Sequence, residues 1–308
     1  MKRNIPYNRN YLMSYHYYKD CDLNEFPNAT IIGDSGAFSA MTQGAQITTK
    51  ELAEWAIQWK HRLKWIAALD VIGNPVATYS NWRDMVDLYG VQAIPTIHYG
   101  TNPQELDKYA RRGVDFVGLG GLVRVPPKSQ MRWLVQVFKY AREKHPDMQF
   151  HGWGCTSKPH FLLPFYSVDS SSWISAVRYG QARLINPSTG ESIEYRLNHK
   201  EAFDADISRI LVDYYGVSPR EASYSNATNR GTMTKIHAQA EWLKQQAWRD
   251  KHPPAHKPMW GVNGYEDNPR LASECHFRSI ALVNTDKQTL KALNGYIYDY
   301  DKKNGRVA

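Results

Sequence analysis

Short apolar runs alternate with helix-like segments along the first half of the chain, at intervals of roughly 20 to 30 residues. This spacing is typical of βα units, in which each strand of a parallel sheet is followed by a helix that packs against it. Thr48 and Glu51 have the spacing of a capping box at the start of one such helix. The runs predicted as strands are Thr30–Asp34, 65–71, 93–99, 116–123, 149–154 and 166–170, with 12–18 as a candidate for an earlier strand.

Two architectures satisfy this alternation, a closed barrel and an open doubly wound sheet. A dinucleotide-binding doubly wound sheet requires Gly-x-Gly-x-x-Gly between its first strand and the next helix, and Gly33-Asp34-Ser35-Gly36 does not supply it. We therefore predict an α/β fold, an irregular (β/α)8 barrel of the TIM type, in which the sequence shows only six or seven of the strands.

The pattern changes after about residue 198, where helical segments follow one another without clear strands. We predict a catalytic barrel core over residues 1–197 and a mainly helical C-terminal part, residues 198–308, packed on it. Between residues 220 and 257, seven Lys or Arg residues against three acids are interleaved with Tyr224, Trp242, Trp248 and Trp260. A nucleic-acid-binding surface and a solvated helical layer explain this composition equally well.

Composition narrows the class of protein further. The net charge of +8, together with 10 Trp and 20 Tyr residues, favours a polyanionic partner that offers rings to stack on. Cys21, Cys155 and Cys275 are odd in number and far apart, which argues against a disulfide framework and a Cys-x2-Cys zinc motif. No run approaches the roughly 20 apolar residues that cross a bilayer, and residues 1–20 lack the apolar segment of a secretory signal. We expect a cytoplasmic protein with no membrane partner.

Three aspartates close predicted strands: Asp34, Asp70 and Asp169. In a parallel barrel the carboxyl ends of all strands lie at one face, so the three side chains are expected to converge there. Asp115 begins its strand and belongs at the opposite face. Single strand-end acids are often structural, but converging carboxylates repel one another and are usually held for acid, base or nucleophile duty.

The same strand ends carry glycines and rings. Phe38 lies just past the first aspartate, and Gly118-Leu119-Gly120-Gly121 and His151-Gly152-Trp153-Gly154 offer backbone that a flat ligand can approach. Tight packing at a strand end is the alternative interpretation of the glycines. His98 and His151 are more often core histidines than metal ligands in such positions.

Residues 34–39, Asp-Ser-Gly-Ala-Phe-Ser, resemble the Asp-Ser-Gly-Gly-Phe/Tyr-Gln motif of tRNA-guanine transglycosylases, barrel enzymes that exchange guanine for a 7-deazaguanine base. Five further stretches resemble motifs of this superfamily, in the same order, over about residues 30–185. Those motifs are Phe-Asp-Glu, Ile-Gln-Gln-Gly, Val-Gly-Gly-Leu, Met-Gly-Val-Gly, and Phe-Asp followed by Arg-x-Gly-Gln-Ala. Their counterparts here are Leu69-Asp70-Val71, Ile97-His98-Tyr99-Gly100, Leu119-Gly120-Gly121-Leu122, His151-Gly152-Trp153-Gly154, and Val168-Asp169 followed by Arg178-Tyr179-Gly180-Gln181-Ala182.

The sequence also departs from the family. Asp169 is followed by Ser170-Ser171-Ser172-Trp173 in place of Cys-Val-Leu-Pro-Thr-Arg, and the zinc motif Cys-x-Cys-x2-Cys is absent after it. In these respects the chain is more similar to the phage and bacterial relatives that place 7-deazaguanines in DNA, the DpdA group. The resemblance therefore implies DNA as partner in preference to tRNA, with a free 7-deazaguanine base as second substrate.

The resemblance implies a covalent double displacement in which Asp169 is the nucleophile on C1′ and Asp34 the general acid/base. Asp70 would recognise the guanine edge, and no nucleoside triphosphate or redox cofactor would be needed. The other implied base contacts are Phe38 and His151 on the ring faces, backbone at Gly120, Gly121 and Gly152, and His98 or Tyr99 in place of the family's recognition glutamines.

Arg124 and Arg178 lie just beyond strand ends and are candidates for phosphate contacts, although surface charge without a partner explains them equally well. Two other functions stay open at this point. A metal-dependent barrel hydrolase would use His98, His151, Asp34 and Asp169 as ligands, although no His-x-His or His-Glu-x-x-His pair supports it. A non-catalytic nucleic-acid-binding protein would explain the basic aromatic C-terminal part but not the three strand-end carboxylates.

Overall fold

The computed structural model describes residues 5–173, 179–223, 230–252, 279–283 and 286–307. Arg178, Tyr224, Trp260 and Cys275 lie outside these residues. The main sheet contains nine strand segments, and every pair of neighbouring segments in it is parallel. Its segments are β1 (Asn10–Ser14), β2 (Thr30–Asp34), β3 (Leu63–Ala67), β4 (Ala93–Ile94), β5 (Thr96–His98), β6 (Phe116–Gly120), β7 (Gln149–Gly152), β8 (Ser167–Ser170) and β11 (Ser279–Val283). The two remaining segments, β9 (Gln181–Ile185) and β10 (Ser192–Arg196), form an antiparallel pair of their own.

The segment order β4-β3-β2-β1-β11-β8-β7-β6-β5 returns on itself, because only Pro95 separates β4 from β5 along the chain. Proline has no N–H for the ladder, so one strand is read as two segments at this residue. Its carbonyl still accepts a hydrogen bond from the Gly118 N–H at 2.8 Å. Counting β4 and β5 as one strand gives a ring of eight, which confirms the predicted TIM-type (β/α) barrel.

Helices follow most of the barrel strands, as a parallel arrangement requires. The Thr48 side chain and the Glu51 side chain cap each other's backbone at the start of the third helix, which confirms the predicted capping box. The helices are α1 (Tyr15–Tyr18), α2 (Ala37–Gln43), α3 (Thr49–Gln58), α4 (Pro75–Asp87), α5 (Leu106–Ala110), α6 (Pro127–Lys144), α7 (Ala205–Ile210), α8 (Pro219–Ala222), α9 (Arg230–Lys251) and α10 (Lys287–Lys303).

The largest core lies between the sheet and these helices. In α6, for example, the apolar residues at helical spacing, from Trp133 to Ala141, are buried against it. A separate small cluster fills the inside of the ring: Leu12, Ile32 and Ala281 are buried there, with Trp65 and Trp153 packed against them. The barrel is therefore a packed core whose openings lie at the ends of the strands.

The barrel sheet also takes in a strand from beyond residue 197, the predicted end of the barrel core. Ser279–Val283, from the part predicted to be mainly helical, pairs with both β1 and β8 and completes the ring. Conversely, β9 and β10 precede the boundary but lie outside the barrel sheet, and a second core forms between this hairpin and α9. Over the described ranges, no helix is both long enough and apolar enough to span a membrane.

Candidate functional site

The three aspartates predicted to converge do lie at the carboxyl face of the barrel. Asp34 is the last residue of β2, Asp169 lies in β8 one residue before its end, and Asp70 follows β3. The charges of Asp70 and Asp169 both act on Asp34 and raise its pKa. The structure thus brings together three carboxylates from distant parts of the sequence.

Asp34 has the most perturbed environment of the three. Burial is the largest cause and the charge of Asp70 the next, and together they raise the pKa of Asp34 from its ordinary 3.8 to about 7. Hydrogen bonds oppose this: the Gly36 N–H donates to Oδ2 at 3.0 Å, and the Ser14 side chain lowers the pKa further. Gly36 has φ of +78°, and a Cβ there would lie 2.7 Å from Cβ of His16, so only glycine fits the turn that aims this N–H. A carboxyl with a pKa near 7 can give and take a proton at neutral pH.

Asp70 is fixed by donors on both oxygens. The Ser35 hydroxyl donates to Oδ1 at 3.0 Å, and His98 Nε2 lies 2.7 Å from Oδ2. The His98 side chain is almost fully buried, so it orients Asp70 rather than standing free in the site. This contact with Asp70 is one that the resemblance does not imply, and the place of His98 as the counterpart of a recognition glutamine stays a prediction. Ser35 was not identified from the sequence as a site residue, although it belongs to the Asp-Ser-Gly motif.

Asp169 is buried, with 8% of its surface exposed, and is also held by two donors. The Gly154 N–H donates to Oδ1 at 2.9 Å, and His151 Nε2 lies 3.2 Å from the same oxygen. The other ring nitrogen of His151, Nδ1, lies 2.8 Å from the Ser167 hydroxyl. Both donors act on Oδ1, so Oδ2 is the oxygen that these contacts leave for other chemistry.

His151 therefore does not occupy the position that the resemblance implies. Its side chain is fully buried inside the barrel, with its ring centroid 4.9 Å from that of Trp65 and 4.3 Å from that of Trp153. A ring enclosed in this way cannot stack on a base, and His151 instead supports Asp169. Phe38, by contrast, is 47% exposed in the first turn of α2, where a ring face is available to a ligand.

The glycines of the site divide into two kinds. A Cβ on Gly120 would lie 2.9 Å from Trp153 Cδ1, and a Cβ on Gly152 would lie 2.7 Å from Cys155 Cβ, so both are required by packing. Gly121 is exposed and has φ of +70°, which leaves its backbone accessible at the end of β6. Accessible backbone, predicted for all three positions, is thus found at Gly121 but not at buried Gly120 and Gly152.

Two other predicted contacts lie on the rim. Tyr99 is 38% exposed and its ring meets Trp133 edge-on at 5.9 Å. Arg124 is exposed and has φ of +65°, a conformation that is uncommon for a residue with a side chain and is often found at functional loops. Arg178 cannot be placed, because it lies outside the described residues.

A cavity of about 450 Å³ adjoins Asp169. Its charged lining residues besides Asp169 are Arg183, from β9, and Lys244, from α9, and the three serines 170–172 also line it. Sequence analysis did not identify Arg183, and it included Lys244 only as one of the seven cations between residues 220 and 257, because neither belongs to a motif and both come from elements outside the barrel ring.

Within the part of the chain that the structure describes, no group of three or more His, Cys, Asp or Glu residues is arranged to hold a metal ion. Of the four ligands suggested for a barrel hydrolase, His151 contacts Asp169, whereas His98 contacts Asp70 and Asp34 accepts from the Gly36 N–H. Comparison with known proteins adds no assignment, since no protein-family model matches this chain and a search of curated proteins finds no match.

Proposed function

We propose that the chain is a base-exchange transglycosylase that replaces guanine in DNA with a 7-deazaguanine base through a covalent bond between Asp169 and the sugar. The observation that carries the proposal is the contrast between two neighbouring carboxyls. Asp34 has a pKa of about 7, whereas Asp169 is held by two donors on one oxygen beside a cavity. Such a division suits one carboxyl to proton transfer and the other to attack on carbon.

In the first half of the reaction, a carboxylate oxygen of Asp169 attacks C1′ of the target nucleotide. The bond between C1′ and the base nitrogen breaks, its electron pair leaves with guanine, and protonated Asp34 supplies the proton that makes guanine a neutral leaving group. In the second half, Asp34 takes a proton from the incoming 7-deazaguanine base. That base nitrogen then attacks C1′ and releases Asp169, so the strand stays intact and no water enters.

The remaining site residues serve binding in this proposal. Ser35 and His98 hold Asp70 so that further lone pairs on its oxygens can accept from the ring N–H and amino group of guanine. Phe38 offers a ring face to the base, and exposed backbone at Gly121 faces the same end of the barrel. The target base has to leave its stack to reach this site, at a cost of a few kcal/mol that stacking and phosphate contacts offset.

The test is incubation with labelled guanine or 7-cyano-7-deazaguanine and either DNA or tRNA. We expect label in DNA, together with an adduct between protein and DNA that survives denaturation. Asp169→Asn should lower exchange at least about a thousandfold and abolish the adduct, because removal of a nucleophile costs that much or more. Asp115→Asn is the matched control, since Asp115 precedes β6 at the opposite end of the barrel.

If tRNA alone takes up label, the substrate of the proposed reaction would be tRNA instead of DNA. Exchange by Asp169→Asn at the rate of the unmodified chain, or binding of both polymers with uptake of label into neither, would refute it.

A further inference from the structure

The cavity beside Asp169 has basic walls that the proposed chemistry does not use. Arg183 and Lys244 are the charged residues that line it besides Asp169, and the hydroxyl-bearing residues 170–172 form another side. Guanidinium, ammonium and hydroxyl groups are the side-chain donors that proteins direct at phosphate oxygens. This end of the cavity therefore has the charge and the donors for a phosphodiester.

The two basic side chains stand on different elements that are joined behind the cavity. The Arg183 backbone N–H donates to His237 Nε2 at 3.0 Å, which ties β9 to α9. Burial lowers the pKa of His237 to about 4, so this ring is neutral at pH 7 and its Nε2 is free to accept. The hydrogen bond to buried His237, rather than a surface ion pair, thus fixes the relative position of the two elements that carry Arg183 and Lys244.

A second cavity, of about 810 Å³, continues from the first. Both are lined by Thr156, Ser157, Arg183 and Lys244, so the two form one channel, here named the 183–244 groove. Its far part includes the partly exposed ring of Phe161, which packs edge-on against buried Trp248 with the ring centroids 5.3 Å apart. An exposed ring beside a basic channel is a feature of sites that hold single-stranded nucleic acid.

Carboxylates balance the cations of the groove in the absence of a ligand. Arg183 Nε donates to Glu194 Oε1 at 2.8 Å, and Lys244 Nζ lies 3.9 Å from Glu241 Oε1. A guanidinium has five N–H donors, so Arg183 keeps four beyond its bond to Glu194. Glu194 and Glu241 line the far part together with Glu191 and Lys158. Since Arg183 and Lys244 line it as well, cations and acids are equal in number there, whereas Asp169 is the carboxylate that lines the first cavity. Phosphate is therefore favoured in the first cavity, where two cations line the walls with one carboxylate, and an uncharged base is favoured farther along.

We propose that the 183–244 groove binds the single strand of DNA that flanks the reacting nucleotide, with phosphate on Arg183 and Lys244 and a neighbouring base against the ring of Phe161. The place of the groove on the reaction path depends on the proposed function. Its ability to bind a single strand does not, and can be measured without catalysis.

The experiment is fluorescence-anisotropy titration of a labelled single-stranded DNA of about 12 nucleotides, a length in the range that such sites cover. Titrations at several salt concentrations give the slope of log affinity against log salt, and each phosphate contact on a single strand contributes about 0.7 to its magnitude. Lys244→Gln should reduce the slope by about 0.7 and weaken binding about fivefold at 0.1 M salt. Lys244→Arg should restore both values, which separates loss of charge from loss of fold.

Two further variants sharpen the result. Lys251→Gln is the matched control, because Lys251 is exposed at the end of the same helix and does not line either cavity. It should leave the slope within error of the unmodified chain. Glu194→Gln should act in the opposite direction and strengthen binding severalfold, because it releases the Arg183 guanidinium.

Three results would overturn the proposal that the groove binds DNA. They are equal effects of Lys244→Gln and Lys251→Gln, weaker binding by Glu194→Gln, and no binding of the DNA at all. If base exchange occurs but these variants bind DNA with equal affinity, the proposed role of the groove is wrong and the transglycosylase proposal stands. If the variants behave as expected but no exchange occurs, the groove stands as a nucleic-acid site and the proposed function fails.

Discussion

Replacing Asp34 by Asn should stabilise the folded chain, and the gain should grow with pH. The folded state raises the pKa of Asp34 from 3.8 to about 7, so it holds this proton more tightly than the unfolded chain does. Between these two pH values the folded carboxyl stays protonated while the unfolded one ionises. Stability from this group is therefore fully present below pH 4, falls as the pH rises toward 7, and changes no further above it.

The size of the effect follows from the same two values. Each pKa unit corresponds to about 1.4 kcal/mol, so the difference between 3.8 and about 7 amounts to about 4 kcal/mol of unfolding free energy at pH 8. At pH 5 about 1.7 kcal/mol of this has already been lost. Asn carries no charge, and its side-chain oxygen can still accept from the Gly36 N–H. The stability difference between Asp34→Asn and the unmodified chain should thus grow by about 2.5 kcal/mol from pH 5 to pH 8.

The assay is urea unfolding of both chains at half-unit steps of pH from 5 to 8.5, followed by tryptophan fluorescence. Equal denaturant slopes for the two chains would ensure that the midpoints report stability. Parallel stability curves, with a difference independent of pH, would show that Asp34 ionises normally in the folded chain. That outcome would also remove the basis for assigning it proton transfer.

Two substitutions elsewhere test the packing and the ion pairing of the barrel. Gly118→Ala should cost about 1–3 kcal/mol and lower the melting temperature, because its Cβ would lie 2.3 Å from Trp153 Nε1 inside the ring; an unchanged melting curve would contradict this geometry. Arg9→Ala should cost about 2–4 kcal/mol at pH 7, since Arg9 donates to both oxygens of buried Asp301 at 2.7 and 2.6 Å. The Arg9 hydrogen bonds lower the pKa of Asp301, so this stabilisation is present above pH 4 and lost on acidification; urea unfolding at pH 7 and pH 3 should show the cost shrinking.

Most of the barrel could be predicted because each βα unit is local in sequence. The strand Thr30–Asp34 was predicted with the bounds that the structure has, and the capping box of α3 forms as expected. The strand Ser279–Val283 could not be found in this way, because the alternation of strand-like and helix-like segments is lost from the sequence after about residue 198. Its place is decided by pairing with β1 and β8, whose residues lie far away in the sequence.

For the site, the sequence predicted which acids lie at one face but not how the histidine rings are oriented. Strand-end position was sufficient to bring Asp34, Asp70 and Asp169 to one face, since parallel strands share a direction. The roles of His98 and His151 depend on which way each ring turns, and that is decided by neighbours such as Trp153 that pack inside the barrel. Motif position alone therefore suggested base contacts where the structure has supports for Asp70 and Asp169.

The three aspartates carry the same chemical group but differ in the hydrogen-bond donors and charges around it. Asp70 receives a donor on each oxygen, Asp169 receives both of its donors on one oxygen, and Asp34 receives a backbone N–H while facing the charges of the other two. Donors stabilise the ionised form, and neighbouring charge opposes it. The proton of the group therefore belongs on Asp34, because burial and the charges of Asp70 and Asp169 raise its pKa to about 7. Any reaction at this face that needs both a carboxylate and a carboxylic acid has the acid at the end of β2.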